Sequence, residues 1–292
     1  AKLHVNNALS SEAIDYVELG YWKQTVKSAN TFYNLNEGDI ESLVIDEANY
    51  SKISIMIDCH YCSHFLDDYP SYQNCRIGLI RLCSRSEDIH RACSLAEGLK
   101  SRTGSKLRLN FFNITNYSGP ELNQAISRAS DSGVDYIYLA DTHGALDLIN
   151  DFNKYYDLAQ EIKSRGMSPG FHLHDHSGKA YLNFRMLSLL GFESTDASLG
   201  GMGKGDGNLK LEYLLNPLSD SLLLNELHEF QDILSMESTI YGLISSAFSI
   251  TDYYALQAKM LNMRPAEFIS AAESICNKDK DNFNPRILPN DN

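Results

Sequence analysis

Two histidines separated by a single residue, His172 and His174, have the clearest chemical potential in this sequence. In a β-strand, side chains two residues apart point to the same face, so a strand here would project both imidazoles together. Two imidazoles on one face can bind a divalent metal ion, with carboxylate, amide, water or substrate oxygens completing the shell. An interior pair held only by protein hydrogen bonds is the alternative, and the spacing alone does not separate the two.

A glycine-rich segment lies downstream of this pair. Glycines occupy five of the eight positions from 200 to 207, and Asn208 follows them. Glycine tolerates positive φ angles and lets the backbone approach a ligand closely. Glu18 and Thr142 stand near the ends of two other predicted strands, so polar groups from several strands would meet near the imidazoles. This combination favours a ligand-binding site over a structural histidine pair.

Short segments rich in β-branched and aromatic residues alternate with helical segments along the chain. Such alternation produces parallel strands covered by helices, and a closed eight-stranded barrel is the natural arrangement, with an open, doubly wound sheet as the alternative. Barrel active sites lie at the carboxyl ends of the strands, where the histidine pair would stand. Strands are predicted at 15–20, 53–58, 76–83, 106–114, 135–142, 169–174 and 194–199, and helices at 1–14, 86–103, 118–133, 145–165 and 179–190.

The pattern predicts three regions along the chain. Residues 1–208 would form the catalytic domain, an α/β fold of the (β/α)8 TIM-barrel type. Seven strands are one short of eight, and we expect the missing first strand to precede Ala1. Residues 209–275 would form additional C-terminal helices packed on the barrel, and residues 276–292, rich in Asn, Asp, Lys and Pro, a flexible tail.

The composition is that of a globular protein. Of the 292 residues, 43% are hydrophobic, yet no apolar run is long enough for a membrane span. A formal net charge of −13 without a local basic patch disfavours binding to nucleic acid or to anionic membranes. The amino terminus has no signal-peptide layout, and the six cysteines are expected to be reduced thiols in a cytoplasmic protein.

Several of these segments together resemble the DRE-TIM metallolyases, a family that includes 4-hydroxy-2-oxovalerate aldolase, 3-hydroxy-3-methylglutaryl-CoA lyase and the isopropylmalate-type synthases. The segments occur in the family's order. The motifs Glu-Leu-Gly-Tyr and Leu-Asn-Phe-Phe-Asn are most similar to the 4-hydroxy-2-oxovalerate aldolase branch. The matching segments are 15–20, 81–83, 110–114, 141–144, 172–174 and 200–208.

The resemblance implies a divalent metal ion, Mn²⁺ or Mg²⁺, bound by His172, His174 and Asn208. The family adds an aspartate from an Arg-Asp motif on the first strand, which is absent from this sequence. The implied reaction is cleavage or formation of a carbon–carbon bond in a 4-hydroxy-2-oxo acid, with pyruvate and an aldehyde as products. The implied partners are a small 2-oxo acid substrate, a second copy of the chain in a homo-oligomer, and an aldehyde dehydrogenase.

Two other functions stay open at this stage. A condensing synthase of the same superfamily would join an acyl-CoA to a 2-oxo acid. A non-catalytic barrel relative would serve as a binding partner, and the absent Arg-Asp motif motivates that alternative. Met202 stands where the methylglutaryl-CoA lyases carry a Gly-Gly-Cys-Pro cysteine, which argues against that particular lyase.

Four further residues are candidates for substrate binding or catalysis. Thr142 could hold a substrate carboxylate or cap a helix, and His143 could transfer a proton or be solvated. Arg81 could pair with a substrate carboxylate, or with Glu18 or Asp141 in an interior ion pair. We assign Glu18, Arg81 and Thr142 to substrate binding and His143 to catalysis.

Cys59 and Cys62, with His64 nearby, have the C-x-x-C spacing of zinc and redox sites. No second pair follows at the spacing of a zinc ribbon. We therefore interpret them as cysteines of a loop at the barrel mouth.

Overall fold

The computed structural model describes residues 2–22, 31–63, 65–71, 76–175, 178–203 and 207–215. These ranges span the predicted strands and helices of the barrel. The predicted first strand before Ala1, most of the predicted C-terminal helical region, and the tail lie outside the described residues. Within that C-terminal region, the described part contains a 3₁₀ turn at Leu211–Tyr213.

Seven parallel strands form one curled sheet in which the order along the chain is also the order in space. All seven predicted strands are confirmed, and the fold is the predicted α/β architecture of a (β/α)8 barrel. Within the described residues, the first and last strands are paired on one side only. The strands are β1 (Val17–Tyr21), β2 (Ile53–Asp58), β3 (Leu79–Ser84), β4 (Lys106–Phe111), β5 (Tyr136–Asp141), β6 (Ser168–Leu173) and β7 (Ser194–Asp196).

Helices connect these strands and cover the outside of the sheet. Ser118 caps the helix that begins at Gly119, and its side chain accepts a hydrogen bond from the backbone of Glu121. The Glu121 carboxylate in turn accepts one from the Ser118 backbone, which completes a capping box. The helices are α1 (Lys2–Ser10), α2 (Glu37–Leu43), α3 (Ile89–Arg102), α4 (Gly119–Asp131), α5 (Phe152–Ser164) and α6 (Ala180–Leu189).

The helix predicted from residue 145 begins only at Phe152, so that prediction was wrong by seven residues. The Asp141 carboxylate accepts hydrogen bonds from the backbone amides of residues 145 and 146, at 2.9 and 3.2 Å. Asp147 does the same for amides two and three residues ahead of it. Such side-chain acceptors compete with helix formation and hold this segment in turns. The helix-capping role considered for Thr142 is therefore wrong.

The two faces of the sheet differ in chemistry, because side chains alternate along each strand. The outer face is apolar and packs with the helices into one hydrophobic core. The inner face carries polar and charged side chains, among them Arg81, Arg108 and Asp196. The outward-facing core residues of the five central strands are Ile53, Ile55, Ile57, Ile80, Leu82, Leu107, Leu109, Phe111, Ile137, Leu139, Phe171 and Leu173.

Across the ranges that the structure describes, no helix combines the length and apolar character needed to cross a bilayer.

Candidate metal and substrate site

The inner face of the sheet borders a cavity of about 910 Å³. Each of the seven strands contributes a polar or aromatic side chain to its wall. Four residues predicted from the sequence line this cavity: Glu18, Arg81, His172 and Asn208. The wall includes Glu18, Ser54, Arg81, Arg108, Tyr138, His172 and Asp196 from the inner face, and the cavity also extends to the outward-facing Phe171 and Leu173.

A chain of ion pairs crosses the wall of the cavity. Arg81 Nη1 donates to Glu18 Oε2 at 2.9 Å, and its Nη2 lies 3.0 Å from Asp196 Oδ2. Arg108 Nη1 donates to Asp196 Oδ1 at 2.7 Å, and its guanidinium lies 3.7 Å from the centre of the Tyr138 ring. Of the interior partners left open for Arg81, the structure shows Glu18. Two guanidinium groups and two carboxylates thus balance one another on the inner face.

Asp196 is the acceptor that joins these groups. Burial alone would raise its pKa, but the guanidinium groups of Arg81 and Arg108 outweigh that effect, and His172 adds a hydrogen bond to the charged form. The pKa of Asp196 is therefore held well below its usual range. Its carboxylate is a fixed negative charge behind the histidine pair.

This carboxylate also orients His172. The Nδ1 atom lies 3.1 Å from Asp196 Oδ2 and 3.4 Å from Arg81 Nη2. Because Asp196 is ionised, the shorter contact is a hydrogen bond donated by Nδ1–H, and Nε2 becomes the nitrogen through which His172 can bind. A carboxylate that accepts from the far nitrogen of a histidine is the usual second partner of a metal-binding imidazole.

His174 stands beside both His172 and Asn208. The centres of the two imidazole rings are 5.1 Å apart, as expected for neighbours on one strand face. His174 also forms an isolated antiparallel bridge with Asn208, flanked by backbone hydrogen bonds of 3.0 and 2.9 Å. Residues opposite one another in an antiparallel pair carry neighbouring side chains. The structure thus brings together the three residues predicted as metal ligands.

The glycines of the loop make this arrangement possible. Gly207 has a φ of +93°, and a Cβ there would lie 2.2 Å from the carbonyl oxygen of Gly201. A Cβ on Gly203 would lie 2.5 Å from the amide carbon of Asn208. Larger residues at these positions would therefore push the returning chain, and with it the Asn208 side chain, away from His174.

The donor set fits a divalent metal ion. Asn208 Nδ2 donates to the carbonyl of Met202 at 3.1 Å, so its Oδ1 is directed elsewhere. Oδ1 is buried and accepts no hydrogen bond from any of the described residues. An orphaned amide oxygen beside two imidazoles is a mixed nitrogen and oxygen donor set for a divalent metal ion, and oxygen atoms of a substrate or of water could complete it.

Thr142 and His143 lie in the turn after β5 and are not among the described residues that line the cavity. The Thr142 hydroxyl accepts a hydrogen bond from the backbone amide of Asn113 at 2.9 Å, which ties the ends of β4 and β5 together. Both side chains are half-buried. His174 is likewise not among the described lining residues, and Thr142 follows Asp141, which pairs with Leu173 next to His174, so the roles predicted for Thr142 and His143 stay predictions.

Sequence reasoning did not single out Asp196, Arg108 or Asn110. Asn110 is fully buried, and neither of its amide atoms has a hydrogen-bond partner among the described residues. Arg108 and Asn110 alternate with the apolar side chains of β4, and Asp196 follows Ser194 at the same two-residue spacing. These residues could have been recognised from the sequence, because polar residues at every second position of an otherwise apolar strand indicate a polar inner face.

A second cluster of ligand-type side chains lies where β2 and β3 end. His60 Nδ1 lies 3.0 Å from Asp88 Oδ2, and the ligand atoms of His60, Glu87 and Asp88 all lie within 4.8 Å of one another. Arg85, which pairs with Asp58 at 2.9 Å, lies 3.8 Å from Asp88 and already supplies positive charge there. The cluster is thus an ion-pair network at the barrel mouth, separate from the histidine pair.

A family model described as HMGL-like matches residues 80–240, which is more than half of the chain. The chain belongs to the HMGL-like family. This confirms the resemblance to the DRE-TIM metallolyases. Proteins of this family are lyases or condensing synthases, and they depend on a divalent metal ion.

This chain aligns with only part of each curated relative. Homocitrate synthase of Pyrococcus abyssi is 24% identical over 227 residues, which are 74% of this chain and 59% of that protein. Oxaloacetate decarboxylase of Mycobacterium tuberculosis is 26% identical over 142 residues, 49% of this chain and 41% of that protein. (R)-citramalate synthase of Sulfolobus acidocaldarius is 29% identical over 104 residues, 36% of this chain and 19% of that protein. The chain thus spans less than two thirds of each.

Solved structures show the same fold. The N-terminal domain of a candidate aldolase from Bacteroides vulgatus superposes with a TM-score of 0.64 at 23% identity, over 80% of this chain and 79% of that one. An HMG-CoA lyase from Acinetobacter baumannii, in complex with coenzyme A and 3-methylmalate, gives a TM-score of 0.51 at 18% identity, over 73% and 74%. Identities this low establish the architecture alone.

Proposed function

We propose that this protein is a divalent-metal-dependent carbon–carbon lyase that cleaves a 4-hydroxy-2-oxo acid to pyruvate and an aldehyde. The orphaned Oδ1 atom of Asn208, placed beside His174 by the antiparallel bridge, is the observation that carries the proposal. His172, His174 and Asn208 would hold Mn²⁺ or Mg²⁺. A bound divalent ion supplies Lewis-acid polarisation of substrate oxygen atoms.

The arginines of the inner face provide the groups that orient a carboxylate. Arg81 and Arg108 both line the cavity, and the Nε atom of each has no acceptor among the described residues. A buried N–H group without an acceptor gains most from a charged one, such as the carboxylate of a 2-oxo acid. Asp196 keeps the two guanidinium groups in place, and it keeps His172 in the tautomer that binds through Nε2.

A base must take the proton from the 4-hydroxyl group of the substrate before the carbon–carbon bond breaks. His143, proposed from the sequence, would act from the rim of the barrel. Glu18 lines the cavity itself, with 29% of its side chain exposed, and is the stronger candidate on geometry. The pH profile of kcat, measured in Glu18→Gln and in His143→Ala, would show which residue is the base. The acidic limb of the profile should disappear only in the variant that lacks the base.

A condensing synthase is the second candidate. Homocitrate synthase and (R)-citramalate synthase, by their names, are such enzymes, and both match part of this chain. Such an enzyme would use the same cationic wall for its 2-oxo acid and would generate the carbon nucleophile from an acyl-CoA. The acyl-CoA would then account for part of the cavity's volume of about 910 Å³.

One experiment tests both candidates on the full chain with Mn²⁺. Pyruvate release is followed with a panel of 4-hydroxy-2-oxo acids and with oxaloacetate, and free thiol release is followed with acetyl-CoA and a panel of 2-oxo acids. Pyruvate release from a 4-hydroxy-2-oxo acid, abolished in His172→Ala and kept in the exposed control His90→Ala, supports the lyase. Thiol release without pyruvate release supports the synthase. If the chain shows neither activity, both candidate functions are contradicted.

Because the proposed reaction releases an aldehyde, we propose an aldehyde dehydrogenase as a partner. We also propose that the chain associates with further copies of itself. Sedimentation of the full chain, alone and mixed with such a dehydrogenase, tests both partners. A monomer that does not co-sediment with the dehydrogenase contradicts them and leaves the lyase proposal intact.

A further inference from the structure

Cys59 and Cys62 form a C-x-x-C pair directly after β2, at the same carboxyl-terminal edge of the sheet as the histidine pair. Both are free thiols, and they are 0% and 5% exposed. The proposed lyase chemistry uses neither of them. Their proximity therefore has to be explained by something other than that reaction.

The turn after β2 brings the two thiols together. The backbone amide of Tyr61 donates to the carbonyl of Asp58 at 3.0 Å, which closes the turn. The Cys62 thiol donates to the Cys59 carbonyl at 3.5 Å, so its sulfur lies against the residue that carries the other thiol. Arg91 Nη1 donates to the same carbonyl at 2.9 Å and holds a positive charge beside the pair. Two cysteines three residues apart in one closed turn can reach the geometry of a disulfide with little movement of the backbone.

The surroundings act on the two thiols in opposite directions. The hydrogen bond from Cys59 is the largest cause that lowers the pKa of Cys62 to about 7; burial acts against it, and Tyr69 and Arg91 add to the lowering. The same hydrogen bond is the largest cause that raises the pKa of Cys59 well above its usual value. The thiolate is the reactive form, so Cys62 is the attacking sulfur and Cys59 the resolving one.

We propose that Cys59 and Cys62 are an oxidation site that reacts with a hydroperoxide and closes into a disulfide. The Cys62 thiolate attacks a peroxide oxygen, the O–O bond breaks, and with one proton taken up the products are a sulfenic acid and water or an alcohol. Cys59 then attacks the Cys62 sulfur, so that the S–S bond forms, the S–O bond breaks, and water leaves with the Cys59 proton. The peroxide is reduced by two electrons, and the dithiol is oxidised by two.

The first test measures the reactivity of single cysteines in the unmodified full chain. Iodoacetamide labelling from pH 5.5 to 9 is followed by peptide mass spectrometry. Cys93 is the matched control, because it is 6% exposed, close to the 5% of Cys62, and burial raises its pKa. We expect Cys62 to react about tenfold faster than Cys93 at pH 7, with a midpoint near pH 7. Equal rates for the two residues would overturn the proposal.

The second test follows the oxidation itself. After one equivalent of hydrogen peroxide, we expect the peptide that holds both cysteines to lose about 2 Da, and dithiothreitol to reverse the loss. Cys59→Ser should stop at a sulfenic acid on Cys62 that dimedone traps, whereas Cys93→Ser should still form the disulfide. Peroxide treatment that leaves Cys62 reduced, or that oxidises it without a link to Cys59, would contradict the proposal. Neither outcome bears on the metal site.

Discussion

The outer and inner faces of the same seven strands have opposite chemistry. On β4, Leu109 faces the helices and is fully buried among apolar side chains, whereas the adjacent Arg108 faces the cavity and pairs with Asp196. Several inward polar atoms lack a hydrogen-bond partner among the described residues, including both amide atoms of Asn110 and the Nε atoms of Arg81 and Arg108. Unsatisfied buried polar groups are costly to a folded protein and are found where a ligand completes them.

Within a single strand, alternate residues therefore have different roles: the outward residues stabilise the fold, and the inward residues form the site. Substitutions on the outer face should change stability and leave the reaction intact. Substitutions on the inner face should change metal binding or the reaction, and they should also lower stability where they break the ion pairs of Asp196.

Removing a metal ligand should have the largest effect on the inner face. His174→Ala deletes an imidazole beside His172 and the orphaned Asn208 oxygen. We expect Mn²⁺ affinity and kcat/KM to fall on the order of 100-fold or more, because loss of even a supporting group costs about 10- to 100-fold. Calorimetric Mn²⁺ titration and the pyruvate assay measure this. The exposed His90→Ala is the control, and an equal loss in both variants would refute the assignment.

Asp196→Asn should lower both the stability of the fold and the affinity for the metal ion. The amide cannot neutralise Arg81 and Arg108, and it no longer fixes the tautomer of His172. We expect about a 10- to 100-fold loss of Mn²⁺ affinity and a loss of about 3 to 5 kcal/mol in the free energy of unfolding. Chemical denaturation and metal titration measure the two effects. Normal Mn²⁺ affinity in this variant would show that Asp196 does not support the site.

The difference in stability between wild type and Asp196→Asn should depend on pH. The folded pKa of Asp196 is held well below its unfolded value of about 3.9, so its stabilising effect is present above that pH. The difference in unfolding free energy between wild type and Asp196→Asn should be constant from about pH 5 upward and should shrink as the pH falls below about 4. Denaturant titrations from pH 2.5 to 7 test this, and a difference that grows in acid would contradict it.

Leu109→Ala, on the outer face, should lower stability and leave the reaction unchanged. It removes buried aliphatic volume next to Arg108 without touching the cavity wall. We expect a loss of about 2 to 5 kcal/mol in the free energy of unfolding and unchanged kcat at a temperature where the variant is folded. A tenfold lower kcat with wild-type Mn²⁺ affinity would show that the two faces are not independent.

Thr142→Val should have the smallest effect. The hydroxyl accepts a hydrogen bond from the Asn113 amide and lies outside the described cavity wall. We expect about 1 kcal/mol less stability and less than a twofold change in KM. A large increase in KM, without loss of stability, would support the substrate-binding role predicted for Thr142 from the sequence.

Much of this molecule could be predicted from its sequence, because local patterns determine it. Alternating strands and helices predicted the barrel, and the spacing of His172 and His174 predicted a shared face that the ring distance of 5.1 Å confirms. The glycine-rich loop predicted a close backbone approach, which the bridge between His174 and Asn208 displays.

The remaining features depend on contacts that no local pattern encodes. Asp196 joins Arg81 and Arg108 from strands far apart in the chain, so its role emerges only when the sheet curls. The late start of α5 depends on the direction in which the Asp141 carboxylate points, and its competition with helix formation is visible only in three dimensions. The same holds for Thr142, whose partner Asn113 comes from the preceding strand connection.

The central claim is that His172, His174 and Asn208 form one metal site on the inner face. The most direct test is anomalous diffraction from a crystal of the full chain grown with Mn²⁺. We predict a manganese peak within coordination distance of an imidazole nitrogen of each histidine and of Asn208 Oδ1, with His172 bound through Nε2. A peak only elsewhere, or none while both imidazoles hydrogen-bond to protein groups, would contradict the account.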